Sequence, residues 1–251
     1  TGLAGCEAAY QISKFDINVD LYEMRPKVKT EAHQTKYLAE LVCSNSFRSD
    51  DKEYNAVGVL HEELRIADSL IMKCADHNKV PAGSALAVDR DNFSKEVNKT
   101  IKSIPNINII NQEVRSLDEF KNQQVIVSTG PLTSKTLTES IKIKTSENSL
   151  AFYDAIAPIV YEETINMSVA WKQSRYDKGN GDDYINCPLS KEEYYQFIEK
   201  IKKAPKMEFK EFEDTPFFEG CMPIEEIIRR GDETLRYGPC LLYTSDAADE
   251  S

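Results

Sequence analysis

Two glycines near the beginning of the chain, Gly2 and Gly5, constrain its fold more than any other feature, because a helical pattern follows them directly. The next run, from Ile17 to Glu23, alternates with period two, which indicates a strand. Glu23 ends that strand about 20 positions after Gly2, which is the separation typical of βαβ units that bind dinucleotides.

Each part of this pattern has a physical purpose in a dinucleotide-binding unit. One glycine lets the backbone approach the pyrophosphate and another packs the helix against the strand. The helix N-terminus faces the phosphates, and the acidic residue bonds the ribose hydroxyls. Two glycines alone would mark only a turn, but with Glu23 at this distance the pattern favours nucleotide binding by Gly2, Gly5 and Glu23. Arg25 is a further candidate, for the cofactor phosphates, although lone arginines are more often found in surface ion pairs.

A second strand is predicted over Gln124–Ser128, directly before Thr129 and Gly130. Many nucleotide-binding enzymes place a strand that ends in a small residue and a glycine beside the same cofactor. Gly130 therefore joins the candidate cofactor ligands, on a short pattern that many other folds share.

The order of the patterns predicts two units. The first 145 residues alternate strand and helix, which indicates a parallel sheet with helices on its faces, and one long amphipathic helix is predicted over 56–75. From about residue 150, aromatic residues and short strand-like runs indicate a second, inserted α+β unit, in which Ser190 and Glu193 form a capping box. We therefore expect an α/β fold with a Rossmann-like nucleotide-binding domain over 1–148, and the inserted unit with a return segment over 149–239.

Both ends of the sequence look unusual. The chain begins inside the glycine motif, and residues 240–251 resemble a translated sequencing-library adapter. We expect a fragment that is truncated at both ends and carries a non-native tail over 240–251.

Composition and charge narrow the functional class. The 251 residues carry a net charge of -11 and 41% hydrophobic residues, as in a folded globular protein. The negative charge argues against a protein that is one large nucleic-acid-binding surface, although a local basic patch is compatible with it. No apolar run reaches the roughly 18 residues of a membrane helix, and no secretory signal opens the chain, so we expect a cytoplasmic protein without a membrane partner. The six cysteines form no C-x-x-C pair and the three histidines do not cluster, so no metal site is expected.

Longer motifs resemble those of the methylenetetrahydrofolate- and FAD-dependent tRNA uracil-5-methyltransferases of bacteria. The similarity runs in order over residues 2–239, and the longer motifs carry it. They are ELVCSNS from Glu40, NAVGVL from Asn55, PAG from Pro81, AVDR from Ala87, TGPLT from Thr129, SRYDKG from Ser174, NCP from Asn186 and FFEGCMPIE from Phe217.

The resemblance implies a reaction and its cofactors. Methylenetetrahydrofolate would supply a one-carbon unit, reduced FAD the hydride that completes a methyl group, and NADH or NADPH the electrons for the flavin. The substrate would be a T-loop uridine of tRNA, which becomes 5-methyluridine. The domain over 1–148 would then be the N-terminal part of an FAD-binding domain, and the fragment alone is expected to be inactive.

The same resemblance gives two cysteines a catalytic role. Carbon 5 of uracil is a poor nucleophile until a thiolate adds to carbon 6, and a base must later remove the carbon 5 proton. By motif, the nucleophile falls on Cys221, and Cys43 is the partner thiol, as acid/base or near the flavin. Cys6 and Cys74 are interpreted as packing residues, and Cys187 is left out of catalysis.

Two other functions stay open. One is a different FAD-dependent tRNA uridine-modifying protein, of the carboxymethylaminomethyl type, which shares the glycine pattern but is not expected to share the context of Cys43 and Cys221. The other is a flavin-binding module without catalysis, which would bind FAD and show no turnover.

Overall fold

The computed structural model describes residues 1–30, 32–42, 44–146, 161–174, 181–205 and 224–237. The chain divides into two compact units, Thr1–Leu150 and Ala151–Ser251. The predicted tail over 240–251 lies outside the described residues. The domain limits expected from the sequence stay predictions.

The first unit alternates helices with short strands. Its helices and strands are α1 (Leu3–Ser13), β1 (Val19–Glu23), β2 (Ser46–Ser49), α2 (Ala56–Ile66), α3 (Leu70–His77), β3 (Lys79–Val80), β4 (Ala85–Val88), α4 (Arg90–Ser103), β5 (Ile107–Asn111) and α5 (Lys135–Thr145). β1 and β5 pair in parallel, with Val19 opposite Ile107 and Glu23 opposite Asn111. This parallel pair and its connecting helices confirm the predicted α/β class.

A second, antiparallel sheet also lies in the first unit. Its strand order is β2-β4-β3, and β4 runs antiparallel to both neighbours. The expectation of a single parallel sheet over the first 145 residues was therefore too simple. Strand periodicity does not report the direction of pairing, so it could not separate β4 from the parallel pair.

The core of the first unit joins α1, α3 and α4 to the strands. Phe93 and Ile101 of α4 are fully buried, as are Cys6 of α1 and Leu86 of β4. Burial of a side chain such as Phe93 stabilises a fold by roughly 1.5–3 kcal/mol relative to its exposure. Asp89 caps α4 by accepting a hydrogen bond from Asn92 N at 3.0 Å.

The single helix expected over 56–75 is wrong, because the chain forms α2 and α3 there. Between them Asp68 adopts a left-handed backbone with φ of 60°. Ser69 then caps α3 by accepting a hydrogen bond from Met72 N at 3.1 Å. Glu7 of α1 also accepts from Ile71 N at 2.9 Å, so the new helix start is satisfied by two side chains.

The strand predicted over Gln124–Ser128 is also not formed. The segment is neither helix nor strand, and Val125, Ile126 and Val127 are each more than two-fifths exposed. A strand needs a partner for its backbone groups. Within the described ranges β1 pairs only with β5, and no strand pairs with this segment.

The second unit has α+β content. It contains β6 (Trp171–Lys172), β7 (Ile185–Asn186), α6 (Lys191–Lys203), α7 (Ile224–Arg230) and α8 (Thr234–Tyr237). β6 and β7 are antiparallel, and the helices share a small core with Tyr194 and Ile198 at its centre. The predicted capping box of α6 is confirmed, because Ser190 Oγ accepts from Glu193 N at 3.3 Å while Ser190 N donates to Glu193 at 2.8 Å.

Candidate functional site

The carboxyl end of β1 and the beginning of α1 lie side by side. Gly2 is the N-cap of α1, and no described side chain caps that helix. The amides of its first turn are therefore available to an anion, which the positive end of the helix also favours. A Cβ added to Gly2 would meet no described atom within 4 Å, so there is open space for a ligand next to this backbone. The site fits a pyrophosphate in these respects.

Gly5 explains why the first turn of α1 contains a second glycine. A Cβ at this position would lie 2.8 Å from Ser128 Oγ and 2.9 Å from Thr1 Cγ2, which is too close for real carbon atoms. The close packing also brings the segment that ends at Gly130 against the beginning of α1. Gly130 has φ of 66°, a backbone conformation that favours glycine, and an added Cβ there would meet no described atom within 4 Å.

Glu23 ends β1 with a buried carboxylate that is only 1% exposed. Its Oε1 accepts hydrogen bonds from Arg25 N and Arg25 Nε, each at 2.9 Å, and its Oε2 accepts from Arg25 Nη2 at 3.1 Å. Oε2 also contacts the amino group of Thr1, the residue before Gly2. Glu23, which the sequence predicts as the ligand of the ribose hydroxyls, therefore points its Oε2 at the glycine turn.

Electrostatics keep the Glu23 carboxylate ionised. Burial alone would raise its pKa, but the hydrogen bonds from Arg25 and the charged amino group at the first residue of this 251-residue chain outweigh burial and lower the pKa to about 2. An ionised carboxylate accepts hydrogen bonds only, which suits it to a ribose hydroxyl.

Arg25 is held between two carboxylates. The guanidinium is only 2% exposed, and its Nη1 donates to Glu40 Oε2 at 2.7 Å while its other donors hold Glu23. We refer to Glu23, Arg25 and Glu40 as the Glu23 cluster. A direct contact of Arg25 with a phosphate would require the guanidinium to leave these partners, and that predicted role stays a prediction.

Comparison with known proteins identifies the family. Residues 1–248 match the family described as Glucose inhibited division protein A. The chain belongs to that family. The resemblance that the motifs carried is confirmed as well, since similar curated proteins from three bacteria bear the name methylenetetrahydrofolate--tRNA-(uracil-5-)-methyltransferase TrmFO.

Three of these relatives show the extent of the match. The protein of Bartonella henselae is 57% identical over 242 residues, which are 95% of this chain and 52% of the relative. The protein of Paramagnetospirillum magneticum is 57% identical over 239 residues, 95% of this chain and 54% of the relative. That of Bradyrhizobium diazoefficiens is 58% identical over 243 residues, 95% and 51%. The chain thus spans about half the length of the curated relatives it matches.

Seen against this family, the structure brings part of the predicted site together. The sequence-predicted cofactor ligands that lie around the end of β1 and the beginning of α1 are Gly2, Gly5, Glu23, Arg25 and Gly130. The two predicted catalytic residues, Cys43 and Cys221, lie outside the described residues, so their roles stay predictions.

The remaining cysteines differ sharply in environment. Cys6 and Cys74 are buried, and burial raises the pKa of each thiol to about 12. Neither thiol forms a thiolate near neutral pH, as expected of packing residues. Cys187 is exposed.

Sequence analysis missed Glu40, although it stands at the beginning of a motif that carried the resemblance. Its carboxylate accepts from Gln34 N at 2.8 Å, and Thr35 Oγ1 donates to it at 3.0 Å. The sequence around Glu40 has no periodicity, so it gives no indication of the partners of this carboxylate. The one available signal was that Glu40 lies in the same motif as Cys43.

Two findings limit the kinds of site in this part of the molecule. Across the described ranges, no helix is long and apolar enough to cross a membrane. In the same ranges, no three His, Cys, Asp or Glu side chains are grouped to hold a metal ion.

Proposed function

We propose that the protein to which this sequence belongs methylates carbon 5 of a T-loop uridine in tRNA. Methylenetetrahydrofolate is the carbon donor, reduced FAD is the hydride donor, and NADH or NADPH reduces the flavin. The observation that carries the proposal is the glycine turn with the ionised Glu23 beside it, in a chain whose relatives are named for this reaction.

The described residues bind and orient the flavin nucleotide in this proposal. The open backbone at Gly2 and the first turn of α1 hold the pyrophosphate, and Glu23 accepts hydrogen bonds from the ribose of the adenosine half. Gly130 leaves room beside the same turn. When bound, FAD supplies the hydride that completes the methyl group. We propose that residues 1–148 form the N-terminal part of this FAD-binding domain, and that residues 149–239 are an inserted unit.

Two thiols carry the pyrimidine chemistry. The Cys221 thiolate adds to carbon 6 of the uracil, which places negative charge on the ring and makes carbon 5 a nucleophile toward the methylene group. Cys43 accepts the proton that carbon 5 must lose, or acts next to the flavin. Loss of that proton allows the bond between the methylene carbon and the folate nitrogen to break, with tetrahydrofolate as the leaving group. Addition of a hydride to the resulting exocyclic methylene would complete the methyl group, and the Cys221–carbon 6 bond would break as the ring double bond is restored. We place this reaction in the cytoplasm.

The proposal is tested by following the methylene carbon of methylenetetrahydrofolate into the tRNA. Full-length protein is incubated with FAD, NADPH, unmodified tRNA and methylenetetrahydrofolate labelled with ¹³C in its methylene group, and the nucleosides are analysed by mass spectrometry. We expect ¹³C in 5-methyluridine at the T-loop position. A carboxymethylaminomethyl uridine would support the other tRNA-modifying class, and flavin binding without any modified uridine would support a module without catalysis.

Variants at the cysteines test the mechanism within the same assay. Cys221→Ala is expected to abolish both methylation and covalent capture of tRNA that contains 5-fluorouridine, and flavin binding is expected to remain. Cys74→Ala is the matched control, because this buried thiol has a raised pKa and no proposed role. Methylation by Cys221→Ala at the parent rate would show the nucleophile to be another group.

A further inference from the structure

Glu40 has no part in the proposed chemistry, yet its carboxylate organises a loop. Its Oε1 accepts from Gln34 N at 2.8 Å and from Thr35 N at 3.1 Å, and its Oε2 accepts from Thr35 Oγ1 at 3.0 Å. Its side chain is only 10% exposed. These bonds close residues 34–40 on themselves. The loop is linked outward by the 2.7 Å bond from Arg25 Nη1 to Glu40 and by the 3.2 Å bond from Ala39 N to the Thr1 carbonyl, and Leu38 packs in the core.

Arg25 carries that link to Glu23. Its backbone N–H, Nε and Nη2 occupy three of the roughly four acceptor positions of the Glu23 carboxylate. The fourth position, on Oε2, contacts the amino group of Thr1 beside Gly2. A planar guanidinium with donors on both edges can hold two carboxylates at fixed angles, whereas a lysine ammonium is a point charge that cannot.

We propose that Arg25 and Glu40 are positioning residues of the nucleotide site. They hold Oε2 of Glu23 toward the beginning of α1, where a ribose hydroxyl would take the position that the Thr1 amino group fills here. They also tie the loop 34–40 to that carboxylate, so that nucleotide binding stabilises the loop. The inference rests on the proposed function only in taking this turn as a nucleotide site.

A purely structural role for Arg25 and Glu40 predicts different effects of their variants on stability and on nucleotide selectivity. If Arg25 and Glu40 only stabilised the fold, their variants would lower the melting temperature and weaken all nucleotides equally. If they aim Glu23, the variants weaken only ligands that carry ribose hydroxyls, because a site that bonds a hydroxyl discriminates strongly against the analogue without it.

The first experiment measures that discrimination in the full-length protein freed of flavin. ADP and 2′,3′-dideoxy-ADP are titrated by calorimetry, and the parent is expected to prefer ADP by about ten-fold or more. Glu40→Gln and Arg25→Lys are expected to reduce the preference to about three-fold or less, with the affinity for the dideoxy compound unchanged. Glu62→Gln is the matched control, because Glu62 pairs with Lys52 in an exposed ion pair at 3.0 Å away from the site, and it should keep the parent's preference.

The second experiment measures hydrogen–deuterium exchange of the loop amides. In the parent, ADP is expected to slow exchange of Gln34 N and Thr35 N several-fold, because both donate to Glu40. In Glu40→Gln this response to ADP should disappear. Thr35→Val provides a variant that keeps the buried charges and removes one donor to Glu40, so it remains informative if Glu40→Gln fails to fold. It should show a reduced ADP preference and a reduced exchange response.

The outcomes separate the inference from the proposed function. If the parent binds neither FAD nor ADP, the proposed function is wrong and the inference falls with it. If the parent prefers ADP, but the folded variants at Arg25, Thr35 and Glu40 keep that preference within two-fold and keep the exchange response, the inference alone is overturned.

Discussion

Two arginines in the first unit each bridge a pair of carboxylates, and they differ in depth. In the Glu23 cluster, Arg25 and Glu23 are 2% and 1% exposed. A second group surrounds Arg65 of α2, which donates to two acids while a histidine bonds one of them. We refer to these residues as the Asp50 cluster, which consists of Asp50, His61, Arg65 and Asp76. Here Arg65 is 25% and Asp76 40% exposed.

The difference in depth implies a difference in purpose. Buried ions lose their hydration, and the attraction between them offsets that loss only when their geometry is fixed. Exposed ion pairs contribute roughly 0–1 kcal/mol to stability and tolerate movement. The Asp50 cluster joins the end of β2 to α2 and α3, as structural ion pairs commonly do. The Glu23 cluster instead places its buried charges at the end of β1, beside the open glycine turn, where they can interact with a bound ligand.

The largest expected effect is the removal of the buried arginine. Arg25→Met leaves two buried carboxylates facing each other and should lower the free energy of unfolding by about 3–5 kcal/mol. Arg65→Met should cost only about 1 kcal/mol, because water replaces part of what it loses. Urea denaturation of both variants measures the difference. Equal losses would remove the distinction between the two clusters.

The second largest expected effect is the loss of stability when acid protonates Glu23. The pKa of Glu23 falls from its usual 4.5 to about 2 in the folded state, so its contribution is fully present above pH 4.5 and is lost as pH falls toward 2. The shift corresponds to about 3 kcal/mol of stability. The stability of Glu23→Gln, measured by urea denaturation between pH 5 and 2.5, should therefore depend less steeply on pH than that of the parent. A slope identical to the parent's would mean that Glu23 does not carry this charge.

Each cluster lies beside a glycine. For alanine substitutions at these glycines, the larger loss of stability is expected beside the Asp50 cluster. A Cβ at Gly58 of α2 would lie 2.3 Å from the backbone carbonyl of Asp51, next to the Asp50 cluster, whereas a Cβ at Gly5 meets mainly the Ser128 hydroxyl. Side chains move more easily than backbone, so Gly58→Ala should cost about 3 kcal/mol and Gly5→Ala about 1–2 kcal/mol. Thermal unfolding of the two variants provides the ranking, and a reversed order would contradict this packing. In the full-length protein, Gly5→Ala should also weaken FAD binding, and Gly58→Ala should not.

The smallest effect is expected at the edge of the Asp50 cluster. Glu62→Gln removes an ion pair with Lys52, whose side chain is 52% exposed, and should change the free energy of unfolding by less than about 0.5 kcal/mol. A loss above about 1 kcal/mol in urea denaturation would show that exposed pairs in this unit are worth more than their depth suggests.

Local chemistry was predictable from the sequence, and partners distant in the chain were not. The capping box at Ser190 and the spacing of Glu23 from Gly2 depend on a few neighbouring residues, and both were placed correctly. The break at Asp68 escaped prediction because apolar periodicity continues through a left-handed residue.

Pairing across the chain explains the other differences. The run at 124–128 has strand composition, but a strand also needs a partner, which composition does not supply. Glu40 went unassigned for the same reason. Its partner Arg25 lies across a loop without periodicity, and a carboxylate in such a loop is usually solvated.

The most direct test of the account is an experimental structure of the full-length protein with FAD. The measured quantity is the distance from the Glu23 carboxylate to the ribose hydroxyls of the adenosine half. We expect Oε2 within hydrogen-bonding distance, about 2.7 Å, of a ribose hydroxyl, with Arg25 still bridging Glu23 and Glu40 and the pyrophosphate against the first turn of α1. A flavin bound elsewhere, or a ribose that leaves Glu23 without contact, would contradict the assignment of this turn as the nucleotide site.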